Sequence, residues 1–253
     1  MKFFKKLSTI NIIMIVSLVL ITAGYIFYRL PMFGDEQVII NVDDKSGNSF
    51  VSVEDVQEII DSLKVKNPNT SRLSNIGLKV IEAALKNQDF ILDAQVSRDL
   101  KGNIIIDIQQ EQPIARLMGN SGKGGYINKK RELLDLSDNF SARVMVITGA
   151  GADSLMSPGY LQSESGAAFG DFLDFVRNDA FWGTQVAMME LDKDFEVEIY
   201  PQIGQHKFEF GHFSNYQKKF DKMKLFYDEI IPKKGWGEYR LVKVQYKGQI
   251  VCR

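Results

Sequence analysis

The chain has 253 residues, of which 45% are hydrophobic and 25% are charged, a composition typical of a globular protein. Lysine and arginine together number 31 and aspartate and glutamate 32, so the net charge of −1 argues against a general nucleic-acid binder, which needs a basic surface. A single cysteine excludes an intramolecular disulfide framework and a multi-cysteine zinc site, and two histidines leave little material for a histidine-rich metal centre. We expect no metal, no cofactor, no nucleic acid and no small-molecule substrate.

The N-terminal segment contains an apolar run without charged residues, from Leu7 to Phe27. About 20 apolar residues are enough to cross a bilayer as a helix. Lysines precede the run, and this bias predicts a cytoplasmic tail at residues 1–6, a transmembrane helix at 7–28 and export of the remainder. A cleaved signal peptide is the alternative, but its apolar region is usually about 7 to 15 residues and ends in small residues. The sequence favours an uncleaved anchor.

Residues 29–111 have the pattern of a small α+β domain. The predicted elements are a strand at 38–42, helices at 53–63 and 74–86, and strands at 91–98 and 104–108, with a hairpin turn at 100–103. Ser52 and Ser74 are the predicted N-caps of the two helices. This order of elements predicts two helices that cover one face of a three-stranded sheet.

Residues 112–253 predict a mixed β-sheet domain with flanking helices. The predicted strands are at 115–118, 125–128, 132–136, 143–148, 185–191, 195–201, 206–210, 239–246 and 249–252. Helices are predicted at 165–178 and 216–231, the second with a capping box at Ser214–Gln217 and with Pro232 as its end. Residues 149–164 are rich in glycine and serine, which predicts an exposed loop.

The motifs that could support catalysis are incomplete. Gly149–Ser154 lacks the third glycine of a dinucleotide fingerprint, and Pro158 interrupts the helix that would receive the pyrophosphate. Gly119–Gly125 lacks the Ser or Thr that follows the lysine of a phosphate loop, which predicts a flexible hairpin loop. His206 and His212 are about 20 Å apart along an extended strand, too far for one metal. The sequence therefore argues against an enzyme.

The strand predicted at 239–246 has two interpretations. At a sheet edge, its unpaired N–H and C=O groups could pair with a strand supplied by a partner. It could equally be an ordinary strand that is paired on both sides. Both interpretations stay open from the sequence.

The order of these motifs over the whole chain resembles the bacterial cell-division family FtsQ/DivIB. Val38–Val42 followed by Ser52–Asp55 resembles the opening of the family's POTRA domain, and Ile91–Arg98 resembles its second strand. Ile104–Ala115 resembles the third strand with its E-x-P-x-A exit. These matches imply that 29–111 is a POTRA-like domain.

Residues 112–253 resemble the β domain of the same family. The matching segments are Gly125–Asn128, Phe208–Gly211 with the helix after it, and Tyr246–Gly248 in the last hairpin. Asn128 stands where the family usually has aspartate, and Gln245 stands where some members have arginine. The overall expectation is an α+β chain with one transmembrane helix, a POTRA-like βααββ domain and an FtsQ-type β domain.

The resemblance implies a non-enzymatic scaffold that links early and late division proteins. It implies a single-pass protein of the inner membrane at the division site, with a cytoplasmic N-terminus and periplasmic domains. Other divisome proteins would bind the POTRA domain, and FtsB-like and FtsL-like single-pass proteins would bind the C-terminal edge by strand addition. The implied partner-binding residues are Tyr239, Leu241, Lys243, Gln245, Tyr246, Gly248 and Arg177.

Two alternative functions agree less well with the sequence. POTRA domains also serve outer-membrane protein assembly and transport, but those proteins usually have several such domains and a β-barrel, for which 253 residues are too few. A membrane-anchored hydrolase would need a nucleophile, a base and an oxyanion site, which the sequence does not offer at a recognisable spacing.

Overall fold

The computed structural model describes residues 9–29, 37–43, 47, 49–66, 73 and 76–253. These residues belong to two compact units that interleave along the chain. Unit 1 comprises Met1–Asn41, Val53–Leu85 and Ala94–Ile108. Unit 2 comprises Val42–Ser52, Lys86–Asp93 and Gln109–Arg253. The predicted N-cap Ser74 and the predicted tail at 1–6 lie outside the described residues.

The N-terminal helix α1 spans Thr9–Arg29. In the described part of the chain, no helix reaches the combination of length and hydropathy that crossing a membrane requires. The single-pass topology therefore stays a prediction.

The predicted βααββ order is confirmed. The elements are β1 (Val38–Asp43), α2 (Val53–Lys66), α3 (Leu78–Lys86), β2 (Ile91–Arg98) and β3 (Ile104–Gln110), and the strands form a sheet in the order β1-β3-β2. Val56 and Ile60 of α2 and Ile81 and Leu85 of α3 are fully buried, as the helical spacing of apolar residues predicts. Burial of each such side chain contributes roughly 1.5–3 kcal/mol, which is what holds these helices in place.

A sheet of nine described strands forms the frame of unit 2. The strands are β4 (Pro113–Gly119), β5 (Gly124–Asn128), β6 (Leu133–Leu134), β7 (Met145–Gly149), β8 (Val186–Leu191), β9 (Glu196–Pro201), β10 (Lys207–His212), β11 (Leu241–Lys243) and β12 (Val251–Cys252). Their order in the sheet is β12-β11-β10-β9-β8-β7-β4-β5-β6. The pairs β4–β7, β7–β8 and β10–β11 are parallel, so the predicted mixed sheet is confirmed.

Helices pack on one face of this sheet. They are α4 (Ala150–Leu155), a 3₁₀ turn (Tyr160–Gln162), α5 (Glu164–Asn178), α6 (Trp182–Gln185), α7 (Tyr216–Leu225), a π-helical turn (Phe226–Ile230) and α8 (Ile231–Lys234). Buried side chains that stand in register across the strands face them: Leu117, Ile147, Met189, Ile199, Phe208 and Val242. Phenylalanines of α5 and α7 complete this core.

The prediction of an exposed loop at 149–164 is wrong. The segment forms α4 and the 3₁₀ turn, and Gly151, Leu155 and Leu161 are buried. Gly151 permits close packing, because a Cβ there would lie 2.6 Å from the Cβ of Leu191. Gly151 therefore marks a close backbone approach, whereas Gly159, with φ +75° and open space around it, lies in a turn.

The prediction for residues 119–125 also needs correction. The turn between β4 and β5 is bound to the carboxylate of Asp153 in α4, which accepts hydrogen bonds from the Asn120 N–H at 2.8 Å and from the Ser121 hydroxyl. The Ser121 hydrogen bond, joined by the two backbone N–H groups, lowers the pKa of Asp153. The turn is therefore held in place by hydrogen bonds.

The start and the end of the last long helix differ from the prediction. Asn215 in the left-handed conformation (φ 54°) precedes α7 without a side-chain cap, so the capping box at Ser214–Gln217 is wrong. Pro232 does not end the helix. It lies at the start of α8, directly after a π-helical turn that joins α8 to α7, so the helix continues past the proline.

Candidate partner-binding edge

The C-terminal strand pairs on both sides. The strand predicted at 239–246 is reduced to β11, Leu241–Lys243. It runs parallel to β10, with Glu209 opposite Lys243, and antiparallel to β12, with Val242 opposite Cys252. Of the two interpretations, the one of a strand paired on both sides is confirmed, because β12 occupies the edge beside β11.

The backbone N–H and C=O groups that face outward at this edge belong to Cys252. Leu241 and Arg253 exchange two backbone hydrogen bonds, at 3.0 and 2.9 Å. In an antiparallel pair such residues alternate with residues whose N–H and C=O point to the other side. The N–H and C=O of Cys252 therefore point away from β11. Its side chain is half-buried and packs against the core of unit 2, which fixes the orientation of the strand.

Lys243 lies on the sheet face opposite the helices and is already paired. Its ammonium lies 2.7 Å from the carboxylate of Glu209, and the two side chains are only 18% and 24% exposed. In register on the same face stand Glu198 of β9 and Glu190 of β8. The Lys243 charge is therefore committed to a carboxylate within the sheet.

The chain after β11 is held by a lysine that the sequence did not indicate. The Lys222 ammonium of α7 donates to the carbonyl oxygen of Val244 and, at 2.6 Å, to that of Tyr246. Burial lowers the pKa of Lys222. The Tyr246 side chain remains 43% exposed. No local pattern could have marked Lys222, because its two acceptors lie more than 20 residues further along the chain.

Gln245 and Gly248 have backbone and packing roles in this segment. A Cβ on Gly211 of β10 would lie 2.9 Å from the Cβ of Gln245, so Gln245 packs directly against the β10 backbone. Gly248 has φ +72° and open space around it, which the turn before β12 requires. Tyr239 is half-buried against the core.

Arg177 lies apart from the other predicted partner-binding residues. It lies in the last turn of α5, 3.2 Å from Asp174, and lines a cavity of about 410 Å³ with Met145 of β7 and Val186 of β8. Two strands, β9 and β10, separate β8 from β11 in the sheet. The structure thus divides the predicted residues into a group near β12 and a separate Arg177.

Comparison with known families decides the identity of the chain. Residues 112–253, more than half of its length, match the family described as FtsQ/DivIB, C-terminal related. The chain belongs to the FtsQ/DivIB family. Residues 36–109 match the POTRA-like domain, so the predicted resemblance is confirmed in both parts. No curated protein matches the chain.

Membership of the FtsQ/DivIB family gives the general role. FtsQ/DivIB proteins are non-enzymatic scaffolds of cell division that act at the division site in the membrane, and they interact with other divisome proteins. In the residues that the structure describes, no group of three or more histidine, cysteine, aspartate or glutamate side chains is arranged to hold a metal ion.

Proposed function

We propose that this FtsQ/DivIB chain is a single-pass membrane scaffold that binds FtsB-like and FtsL-like division proteins by adding a partner strand to β12. The observation that carries the proposal is the pair of outward N–H and C=O groups of Cys252 at the open end of the sheet. Main-chain bonds of this kind supply affinity in strand addition, and side-chain contacts supply specificity.

The contacts around β12 support this mode of binding. A two-residue edge strand offers few backbone groups, so it must be held rigidly to act as a template. Leu241 holds it by two backbone bonds, and the Lys243–Glu209 pair ties β11 to β10. The exposed Tyr246 ring beside this edge is a contact for the partner side chains, since aromatic residues dominate such interfaces.

The anchor is part of the proposal. Residues 9–27 of the uncharged run lie in α1, and the side chains from Met14 to Leu20 are largely exposed. The proposed organisation is a cytoplasmic tail at 1–6, an inner-membrane helix at 7–28, and periplasmic domains at 29–111 and 112–253. The first of these two domains is proposed to bind other divisome proteins. Confinement of partners to one membrane raises their effective concentration.

Replacement of Cys252 by proline tests the strand addition. Proline removes the outward N–H and places a ring at the edge, but leaves both Leu241–Arg253 bonds in place. We expect Cys252→Pro to weaken binding to the purified FtsB/FtsL-type complex of the same host by about tenfold or more. The measurement is affinity by biolayer interferometry with full-length protein in detergent.

Cys252→Val is the matched control, because it keeps the N–H and a half-buried apolar side chain. It should bind as the unmodified protein does, and both variants should keep its melting temperature to within a few degrees. Equal affinity of the proline variant and the valine variant would contradict strand addition at β12.

A further inference from the structure

A cavity of about 430 Å³ lies in unit 2, where β10 ends and where α5 and α7 begin. We call it the aromatic cavity, because four rings line it together with two carboxylates: Tyr160, Phe195, Phe213, Tyr216, Glu164 and Asp171. The rings of Tyr160 and Phe195 stack with their centroids 5.5 Å apart, and Phe195 meets Phe213 edge-on at 6.3 Å. Tyr160, Phe195 and Tyr216 are only half-buried. A concave site of this size, with aromatic walls and a few polar groups, has the usual properties of a ligand site.

The charge that lines the aromatic cavity is negative. Of the described residues, no lysine or arginine lines it, and the His212 ring on its wall accepts a hydrogen bond from the Ser214 N–H through Nδ1 at 3.1 Å. The Asp171 carboxylate is already paired, since Arg131 donates to it at 2.7 Å. Glu164, which is exposed in the first turn of α5, has no ion-pair or hydrogen-bond partner for its carboxylate within the described part of the chain. Glu164 therefore supplies an unpaired carboxylate beside the rings.

The backbone at Phe195 is strained, and its ring forms part of the cavity wall. Its φ is 59°, in the left-handed region that bulky side chains rarely adopt. The turn before β9 is fixed by the Asp192 carboxylate, which accepts hydrogen bonds from the N–H groups of Asp194 and Glu196 at 2.8 and 2.9 Å. Glycine or asparagine would fit this turn at a lower cost. Strained residues of this kind cluster at functional sites, so a phenylalanine at this position favours a binding role for the cavity.

We propose that the aromatic cavity binds an arginine side chain of a partner protein. A guanidinium group is attracted to the faces of aromatic rings, and its planar fork can donate two parallel hydrogen bonds to a carboxylate such as that of Glu164. Lysine offers a more strongly hydrated point charge and has no such fork. The inference is independent of strand addition, because neither Val251 nor Cys252 of β12 lines the cavity.

A short peptide, acetyl-Gly-Arg-Gly-amide, is the probe for this site. It is titrated into full-length protein in uncharged detergent micelles, with isotope-labelled phenylalanine and tyrosine rings observed by NMR. We expect saturable shifts of the rings that line the aromatic cavity, with a dissociation constant in the millimolar range, on the order of 1 mM. The same peptide with lysine should bind more weakly, and the one with glutamine should not bind. Absence of shifts with the arginine peptide, or equal binding of the glutamine peptide, would overturn the proposal.

Glu164→Gln tests the carboxylate, and Asp194→Asn is its matched control. Asp194 is exposed and precedes Phe195, but it does not line the cavity, and both variants remove one negative charge. We expect Glu164→Gln to weaken binding of the arginine peptide by about fivefold, as for a partly exposed ion pair, and Asp194→Asn to leave it unchanged. Tyr160→Leu, which removes a ring but keeps an apolar side chain, should weaken binding by about threefold.

Two further results would contradict the inference. A carboxylate in the first turn of a helix also stabilises that helix through its dipole. If Glu164→Gln lowers the melting temperature but binds the arginine peptide as tightly as Asp194→Asn does, Glu164 serves α5 alone and the proposal is wrong. If tetramethylammonium shifts the same rings and displaces the arginine peptide at a lower concentration, the aromatic cavity binds a quaternary ammonium group and not arginine.

Discussion

His206 is a buried titratable residue in an aromatic environment. Its side chain is 2% exposed and lies against Phe208, Phe226 and Trp236. Burial lowers the pKa of His206, so the ring is neutral at pH 7. Burial also raises the pKa of Tyr227 to about 12, so its hydroxyl, 3.0 Å from Nε2 of His206, keeps its proton.

The stability of unit 2 should consequently depend on pH. The unfolded chain binds a proton on His206 below its ordinary pKa of about 6.5, whereas the folded chain binds it only at a lower pH. Stability is therefore fully present above pH 6.5 and is lost as the pH falls toward the folded-state pKa. We expect urea midpoints to fall between pH 7.5 and 5.5 in the unmodified protein, and this fall to be smaller in His206→Phe. His212→Gln, at an exposed position, should behave like the unmodified protein. An unchanged slope in His206→Phe would show that other groups cause the pH dependence.

Two elements show what the sequence could reveal and what it could not. Alternation of apolar residues identified β2, β3, β8 and β9 to within a residue or two, because one buried face imposes a period of two. The edge could not be found in this way. Whether β11 or β12 is outermost depends on which strand returns beside it, and two residues, Val251 and Cys252, are too few to produce a period.

The prediction of an exposed loop at 149–164 is wrong for a different reason. The sequence reads the same whether a glycine forms a turn or allows two backbones to approach closely. Only the position of the neighbouring strand distinguishes these two roles. Gly151 faces Leu191 and the carbonyl oxygen of Asp192, both more than 35 residues away in sequence. The candidate site suffers from the same limit, since Lys222 acts on Val244 and Tyr246 across the fold.

Gly151→Ala should therefore destabilise unit 2. The added methyl group would meet the Cβ of Leu191 at 2.6 Å and the carbonyl oxygen of Asp192 at 2.7 Å, and overpacking of this kind costs about 1–3 kcal/mol. Urea unfolding followed by tryptophan fluorescence reports on this unit, because Trp182 and Trp236 both belong to it. Gly237→Ala, with open space around the new methyl group, is the control. A neutral Gly151→Ala would restore the interpretation of 149–164 as an exposed loop.

In the proposed function, the whole molecule combines a short edge strand, β12, with a membrane anchor, α1. A two-residue edge strand supplies few backbone bonds, so its occupancy in a cell depends on how concentrated the partner is near it. A membrane that carries both proteins supplies this concentration without any new contact. Under the proposed function, scaffolding by this chain should thus need both the partner contact at β12 and the anchor α1.

Charged substitutions in α1 separate these two contributions. Leu18→Lys with Val19→Lys places two cations near the middle of Thr9–Arg29, at a cost of about 2.5–3.5 kcal/mol each for insertion into a bilayer. We expect this variant to leave the membrane fraction on alkaline extraction and to fail to support cell division, while its affinity for the purified FtsB/FtsL-type complex in detergent stays within about twofold of normal. Leu18→Ala with Val19→Ala should remain in the membrane and support division. Because β12 is intact in both variants, a loss of affinity in detergent would show that α1 itself contacts the partner. If cells with the double-lysine variant divide although the protein is not retained in the membrane, the anchor is not part of the function.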